Sequence, residues 1–215
     1  MKKEILLSLS TLLDDLKLKT PVKRERTELR TIINAFEDRG FAVLLFFLAL
    51  PAALPIPAIG INVIIAFPIL LLTLQQISGR HKVWLPEKVK SRTMKTKHLH
   101  SFIDKSKPLI KFIEKFVSPR LGFLCGKHFT KFIGVCGALF AVSITLPIPL
   151  TNTVPAMAIA LMSIGIILRD GIAVILGMIL GIFWISLLSY VIIFFGTEGI
   201  EIIKEVIKGW LGLNT

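Results

Sequence analysis

Acidic residues are in short supply. The chain of 215 residues holds 14 Asp and Glu against 26 Lys and Arg, a formal net charge of +12. Cysteine is nearly absent. Cys125 and Cys136 form neither a C-x-x-C nor a disulfide framework, and they read as small apolar residues beside apolar segments. Four histidines, His81, His98, His100 and His128, lie in or near one middle segment. The close pair, His98 and His100, is spaced i, i+2, which does not place two ligands on one helix face. No cysteine or carboxylate cluster joins them, so neither a metal site nor a cofactor is expected. The sequence shows no nucleophile–base arrangement, no phosphate-binding glycine loop and no paired carboxylates in its apolar runs. No catalytic residue is therefore nominated, and an enzyme is the least supported class. The N-terminus carries Glu4, Asp14 and Asp15 and lacks the continuous apolar stretch and cleavage site of a signal peptide.

Charge is also missing from three long stretches: Phe41 to Ser78, Phe132 to Leu168 and Gly171 to Thr197. Hydrophobic residues make up 53% of the chain and mean hydropathy is +0.75. Each run is long enough to reach deep into or across a bilayer about 30 Å thick. These features predict an all-α integral membrane protein, with the bilayer as its first partner. The basic excess is local. Residues 79–131 hold fourteen Lys/Arg and three Asp/Glu, whereas residues 1–40 hold nine and seven. The positive-inside rule places 79–131 in the cytoplasm, where its cations meet anionic lipid headgroups. A nucleic-acid role is set aside, because the segment lies between membrane blocks and no nucleic-acid motif accompanies it.

One string occurs twice inside these runs: Leu54-Pro55-Ile56-Pro57 and Leu146-Pro147-Ile148-Pro149. Proline removes a backbone donor and stops helix propagation. At membrane depth, broken backbone is tolerated only where protein or a water-filled cavity surrounds it. Matched breaks in two halves of a membrane protein point to a transporter-type site. Each copy follows a short apolar arm and precedes a longer one. Gly60-Ile61-Asn62 follows the first, and Thr151-Asn152-Thr153 follows the second. Pro68 and Arg80 are matched by Pro155 and Arg169. This order predicts an internal repeat of two broken or re-entrant helical hairpins, with a pair of tilted helices joined by a proline turn as the alternative.

Five stretches follow. Residues 1–40 hold two amphipathic helices, at 4–19 and from about Thr27 to Asp38. Residues 41–78 form the first hairpin. Residues 79–131 form the basic segment, with an interfacial helix from Leu109 to Val117. Residues 132–168 form the second hairpin. Residues 169–215 contain a further transmembrane helix, Ile172 to Phe195, and an amphipathic tail. Gly177 and Gly181 make a GxxxG that permits close approach of another helix of this chain or of a second subunit, hence a possible homo-oligomer. Arg169-Asp170-Gly171 reads either as an interfacial turn or as a charged pair facing a cavity.

The candidate pathway residues are the breaks themselves, Pro55, Pro57, Pro147 and Pro149, with Asn62, Thr151 and Asn152 beside them and Arg80, Arg169 and Asp170 at the mouth. Asp38-Arg39-Gly40-Phe41, Ala49-Leu50-Pro51, both Leu-Pro-Ile-Pro copies, Gly79-Arg80, Trp84-Leu85-Pro86, Asn152, Pro155-Ala156 and Arg169-Asp170-Gly171 occur in an order that resembles the exopolysaccharide synthesis ExoD family of bacterial membrane proteins. The resemblance covers about residues 30–195. It implies a multi-pass protein of the bacterial inner membrane linked to exopolysaccharide production, and it brings no catalytic residues. Two functions follow as expectations. One is a small transporter-like or lipid-handling protein with its site where the breaks meet. The other is a non-catalytic membrane factor that binds partners of the polysaccharide machinery.

Overall fold

The computed structural model describes residues 9–21, 25–35, 39–54, 61–80, 82–116, 120–146 and 152–210. The proline pairs of both Leu-Pro-Ile-Pro strings, Thr151 and His81 lie outside the described residues. The described chain is mainly helical: α1 Leu9–Lys19, α2 Leu29–Ala35, α3 Gly40–Ala53, α4 Ile61–Ile77, α5 Glu87–Lys90, α6 Thr96–Phe116, α7 Lys127–Thr145, α8 Thr153–Leu168 and α9 Gly171–Trp210. Two short strands, β1 Arg26–Glu28 and β2 Thr93–Lys95, pair antiparallel with Thr27 opposite Met94.

Helices α3 and α4 flank the first break, and α7 and α8 flank the second. The arms pair crosswise. Helix α3 packs chiefly on α8, and α4 chiefly on α7. Helix α9 packs chiefly on α8 and also touches α7. Crosswise pairing buries Phe46, Ala49, Ile69, Phe140, Ala141, Ile144, Ile159 and Ile167 in one core. Alanines and glycines at these crossings let the backbones come close, as apolar helices without a strong hydrophobic drive require.

Helix ends at matching places in the two halves share backbone geometry. Leu54 closes α3 at φ −71°, ψ 134°, and Leu146 closes α7 at φ −62°, ψ 128°. Each is the residue before a proline, where ring sterics exclude helix and favour extended backbone. Each N–H reaches back to a carbonyl three residues earlier, Pro51 O and Ser143 O. The far ends also match. At the end of α4 the N–H groups of Gly79 and Arg80 donate to Gln76 O and Gln75 O. At the end of α8 those of Arg169 and Asp170 donate to Ile166 O and Gly165 O. Both are Schellman closures with a left-handed residue, Gly79 at φ +73° and Arg169 at φ +55°. Arg169 therefore corresponds to Gly79 rather than to Arg80, and Arg80 corresponds to Asp170. Counted from the helix starts, Asn152 precedes α8 while Asn62 is the second residue of α4, so the two amides are not equivalent either.

Gly171–Phe194 is the one helix among the described residues long and apolar enough to cross a bilayer. Four shorter apolar helices, Gly40–Ala53, Val63–Ile77, Phe129–Thr145 and Thr153–Leu168, fall below that length. At 1.5 Å per residue, α3 is about 21 Å long and α8 about 24 Å. Gly196, at φ 56° and ψ −142°, kinks α9 where the apolar span gives way to the amphipathic tail.

The peripheral segments depart from the periodicity. Residues 26–28 are a strand, and helix α2 starts only at Leu29. Thr27 Oγ meets Thr96 Oγ at 2.9 Å in a buried pair, which fixes this ribbon between α2 and α6. Helix α6 begins at Thr96, well before the expected Leu109, and holds Pro108 in its interior. Its buried stripe of Leu99, Ile103 and Ile110 extends through the polar stretch that hides the period. Ion pairs Lys17–Asp104 and Lys107–Asp14 link α1 to α6, and His100 Nε2 lies 2.8 Å from Thr20 O.

Candidate functional site

Crosswise packing gives the bundle a break end and a basic end. At the break end, Asn152 is 2% exposed and its Nδ2 donates to Ala52 O at 2.9 Å. Ala52 sits in the last turn of α3, where carbonyls have no helical partner. A polar group from beside the second break thus satisfies backbone freed by the first. Two further polar atoms nearby in the chain, Ser143 Oγ in the last turn of α7 and Thr153 Oγ in the first turn of α8, are buried without a hydrogen-bond partner among the described residues. Buried polar groups of this kind carry a desolvation cost. Asn62 lies in the first turn of α4, and its side chain is outside the described residues.

At the other end, α3, α7 and α9 begin while α4 and α8 stop. A cavity of about 310 Å³ opens there, with Arg39, Arg80 and Arg169 in its wall. The sequence nominates Arg80 and Arg169 as charges at the mouth of a pathway at the breaks, whereas they lie here at the far ends of α4 and α8. Arg39 and Gln76 line the same cavity. Neither is nominated as a site residue by type or spacing, although Arg39 stands just before the first uncharged run and Gln76 lies near its end. Gln76 is 2% exposed, and its Oε1 has no hydrogen-bond partner among the described residues. Thr130 and Gly126, at the start of α7, complete the polar part of the wall.

Asp170 takes a structural position. It is 5% exposed, and its Oδ1 accepts the N–H groups of Ile172 at 2.9 Å and Ala173 at 3.4 Å, capping α9. The Gly171 N–H donates to Arg120 O, which ties this turn to the loop before α7. Cys125 Sγ lies 3.5 Å from Gly165 O in the 3₁₀ turn Gly122–Cys125. Burial first, and the neighbouring Asp170 charge second, push its thiol up to about 11, against an opposing pull from Arg169. Trp84 is held to the end of α4 by both atoms of the Gln75 amide, Nε2 to Trp84 O at 3.0 Å and Trp84 N–H to Oε1 at 2.8 Å, and Arg80 stands 6.0 Å from its ring centre.

The GxxxG of α9 is occupied within the chain. A Cβ on Gly177 would meet Ala158 O at 2.8 Å, and one on Gly181 would meet the Phe140 ring at 2.1 Å. Of the two partners that this motif left open, the structure contains the intrachain one. Among the described residues, no group of three or more His, Cys, Asp or Glu side chains is placed to hold a metal ion.

Comparison with known proteins joins this architecture to a family. The family model described as "Exopolysaccharide synthesis, ExoD" matches residues 9–190. "Uncharacterized protein slr1875" of Synechocystis sp. is 34% identical over 184 residues, which is 85% of this chain and 86% of that protein. "Protein ExoD" of Rhizobium meliloti is 33% identical over 150 residues, 68% of this chain and 62% of the Rhizobium protein. No solved structure matches. Family match and identity together show that the chain belongs to the ExoD exopolysaccharide synthesis family.

Proposed function

We propose that the chain is a multi-pass protein of the bacterial inner membrane that supports exopolysaccharide production as a small transporter-like or lipid-handling protein. It acts by passage rather than by covalent catalysis, and its site lies where the two Leu-Pro-Ile-Pro breaks meet. The observation that carries this reading is the Asn152–Ala52 hydrogen bond, which brings the second break against the backbone freed by the first. Matched, facing helix breaks are the usual setting of a transport site.

The membrane reading is supported by the outer faces. Ile64, Phe67, Leu71 and Leu74 on α4, Phe132, Val135, Leu139 and Val142 on α7, and Leu176, Ile179 and Phe183 on α9 are all exposed. Continuous apolar faces around an already filled core are expected of surfaces that meet another apolar phase. The basic residues of 79–131 then face the cytoplasm.

The test is reconstitution of the full chain into vesicles, with transbilayer movement of a fluorescent phospholipid and of small ions measured in parallel. The wild type is expected to accelerate one of these, and Asn152→Leu to abolish the acceleration while the protein remains folded. A wild-type protein that moves neither refutes the reading. Single-cysteine accessibility across residues 50–65 and 145–155 gives a second readout, with water access to both breaks expected.

A further inference from the structure

We infer that the cavity at the basic end is a binding site for a phosphate group, carried either by a lipid headgroup or by a free phosphate or diphosphate. The inference deepens the lipid-handling reading and rests on it for the choice between these two sources.

Three arginines from separate parts of the chain line one cavity of about 310 Å³. Arg39 comes from the start of α3, Arg80 from the end of α4 and Arg169 from the end of α8. Three guanidinium groups in one wall give the cavity a positive field that draws an anion. Arginine is suited to this role, because its planar fork matches phosphate oxygens in pairs and it keeps its charge at any physiological pH.

Backbone adds to the same field. The cavity wall includes the cap residues of α3 and α7, Arg39 and Gly126, where the helix dipole favours negative charge. Thr130 Oγ is spent on Gly126 O at 3.2 Å. The Asp170 carboxylate turns its Oδ1 to the first turn of α9. No carboxylate is in the cavity wall among the described residues. Gln76 supplies the independent mark of a ligand. It is 2% exposed, lines this cavity, and leaves its amide oxygen without a partner among the described residues. An orphan acceptor calls for a donor, which a monoprotonated phosphate supplies through its P–O–H.

The cavity has room for one or two phosphate groups. Phe41, Ala42 and Ile166 form the apolar side of the wall. A lipid phosphate approaching from the basic face would enter here, about 21 Å along α3 from the first break.

The full chain, purified in neutral detergent, is tested in two arms. One measures binding of inorganic pyrophosphate by equilibrium dialysis. The other measures retention of phosphatidic acid against phosphatidylcholine in mixed micelles. Phosphatidic acid is expected to be retained preferentially and to slow alkylation of Cys125, which lines the cavity. Arg39→Gln with Arg80→Gln is expected to weaken retention at least tenfold. Arg169→Asn, chosen because asparagine tolerates the left-handed backbone there, is expected to weaken it several-fold. Arg26→Gln with Lys95→Gln, on the β1–β2 ribbon, is expected to change it less than twofold.

Pyrophosphate binding with the same arginine dependence, and no preference for phosphatidic acid, retains the phosphate site and rejects its lipid source. Equal retention of both lipids without pyrophosphate binding overturns the inference, as does anion binding that the arginine variants leave unchanged and that gives Cys125 no protection. Cys125 protection in the wild type is independent of whether the arginine variants fold. Lipid movement that persists when this site is lost overturns its role in that movement and leaves the site at the breaks standing.

Discussion

The side-chain amide of Asn152 donates to the main-chain carbonyl of Ala52 at 2.9 Å, across 100 residues of sequence, and both groups are buried. One residue beside the second break thereby completes the helix that ends at the first. Replacing Asn152 with alanine removes the donor and leaves a carbonyl buried without a partner, a loss of about 1–3 kcal/mol. Asn152→Ala should lower the unfolding midpoint of the detergent-solubilised protein by that margin, while Thr153→Val, which removes a hydroxyl that has no partner among the described residues, should leave it unchanged or raise it. Equal losses for both substitutions would show that the Ala52 contact contributes nothing specific.

The two glycines of α9 should respond differently to the same substitution. An alanine Cβ at Gly181 meets the far end of the Phe140 ring, a side chain that can be shortened. One at Gly177 meets the Ala158 carbonyl oxygen and the Met162 backbone nitrogen, which cannot. Both single substitutions overpack the interior at about 1–3 kcal/mol. Phe140→Leu should rescue Gly181→Ala and not Gly177→Ala, as read by thermal unfolding of the two double variants. A Phe140→Leu background that restores both, or neither, contradicts the assignment of these faces to α8 and α7.

The matching helix ends at Leu54 and Leu146 were legible because proline acts locally. Pro55 and Pro147 fix their preceding leucines in extended backbone through contacts one bond away, so Leu54 and Leu146 adopt nearly the same angles. The close approach of α9 was legible from Gly177 and Gly181, but the identity of its partner was not, since Phe140 and Ala158 reach them only in the folded bundle. Matching arginine to arginine misplaced the far end of the repeat. Arg169 occupies the left-handed position that glycine takes in the first unit, a conformation that residue type does not advertise for arginine. Arg39 enters the sequence reading only within the Asp38-Arg39-Gly40-Phe41 motif, and Gln76 not at all, for a related reason. Each is ordinary within its own segment, and only the meeting of three helix ends gives them a shared cavity. The early start of α6 was hidden by lysines and histidines interleaved with Leu99 and Ile103.

Asp170 should act through the start of α9 rather than through a charge facing a pathway. Its Oδ1 holds two N–H groups of the first turn, and removal of such a cap costs about 1 kcal/mol. Asp170→Ala should destabilise by that amount, and Asp170→Asn, which keeps an oxygen acceptor, by a small fraction of it. Reconstituted transport per folded molecule should be the same for wild type and Asp170→Asn. A large loss of transport in a fully folded Asp170→Asn protein would assign the carboxylate to the pathway instead.

Cys125 offers a pH-resolved check of the basic end, because burial and the Asp170 charge push its thiol up to about 11. The reactive species is the thiolate. With the folded value above that of an exposed thiol, near 8.5, the thiolate fraction at neutral pH falls by roughly two orders of magnitude. In a Cys136→Ala background, iodoacetamide should therefore label Cys125 slowly at pH 7.5. The rate should rise about tenfold per pH unit and still be climbing at pH 10, whereas an exposed thiol has levelled off by then. The sign for stability follows. The neutral thiol is the form favoured in the folded protein, so its contribution is complete below about pH 8 and is lost as pH rises towards 11. Asp170→Asn removes the second cause of the shift and should move the labelling curve to lower pH. A curve that levels off near pH 8.5 in the wild type would mean that Cys125 is open to water and that the turn Gly122–Cys125 does not pack on Gly165.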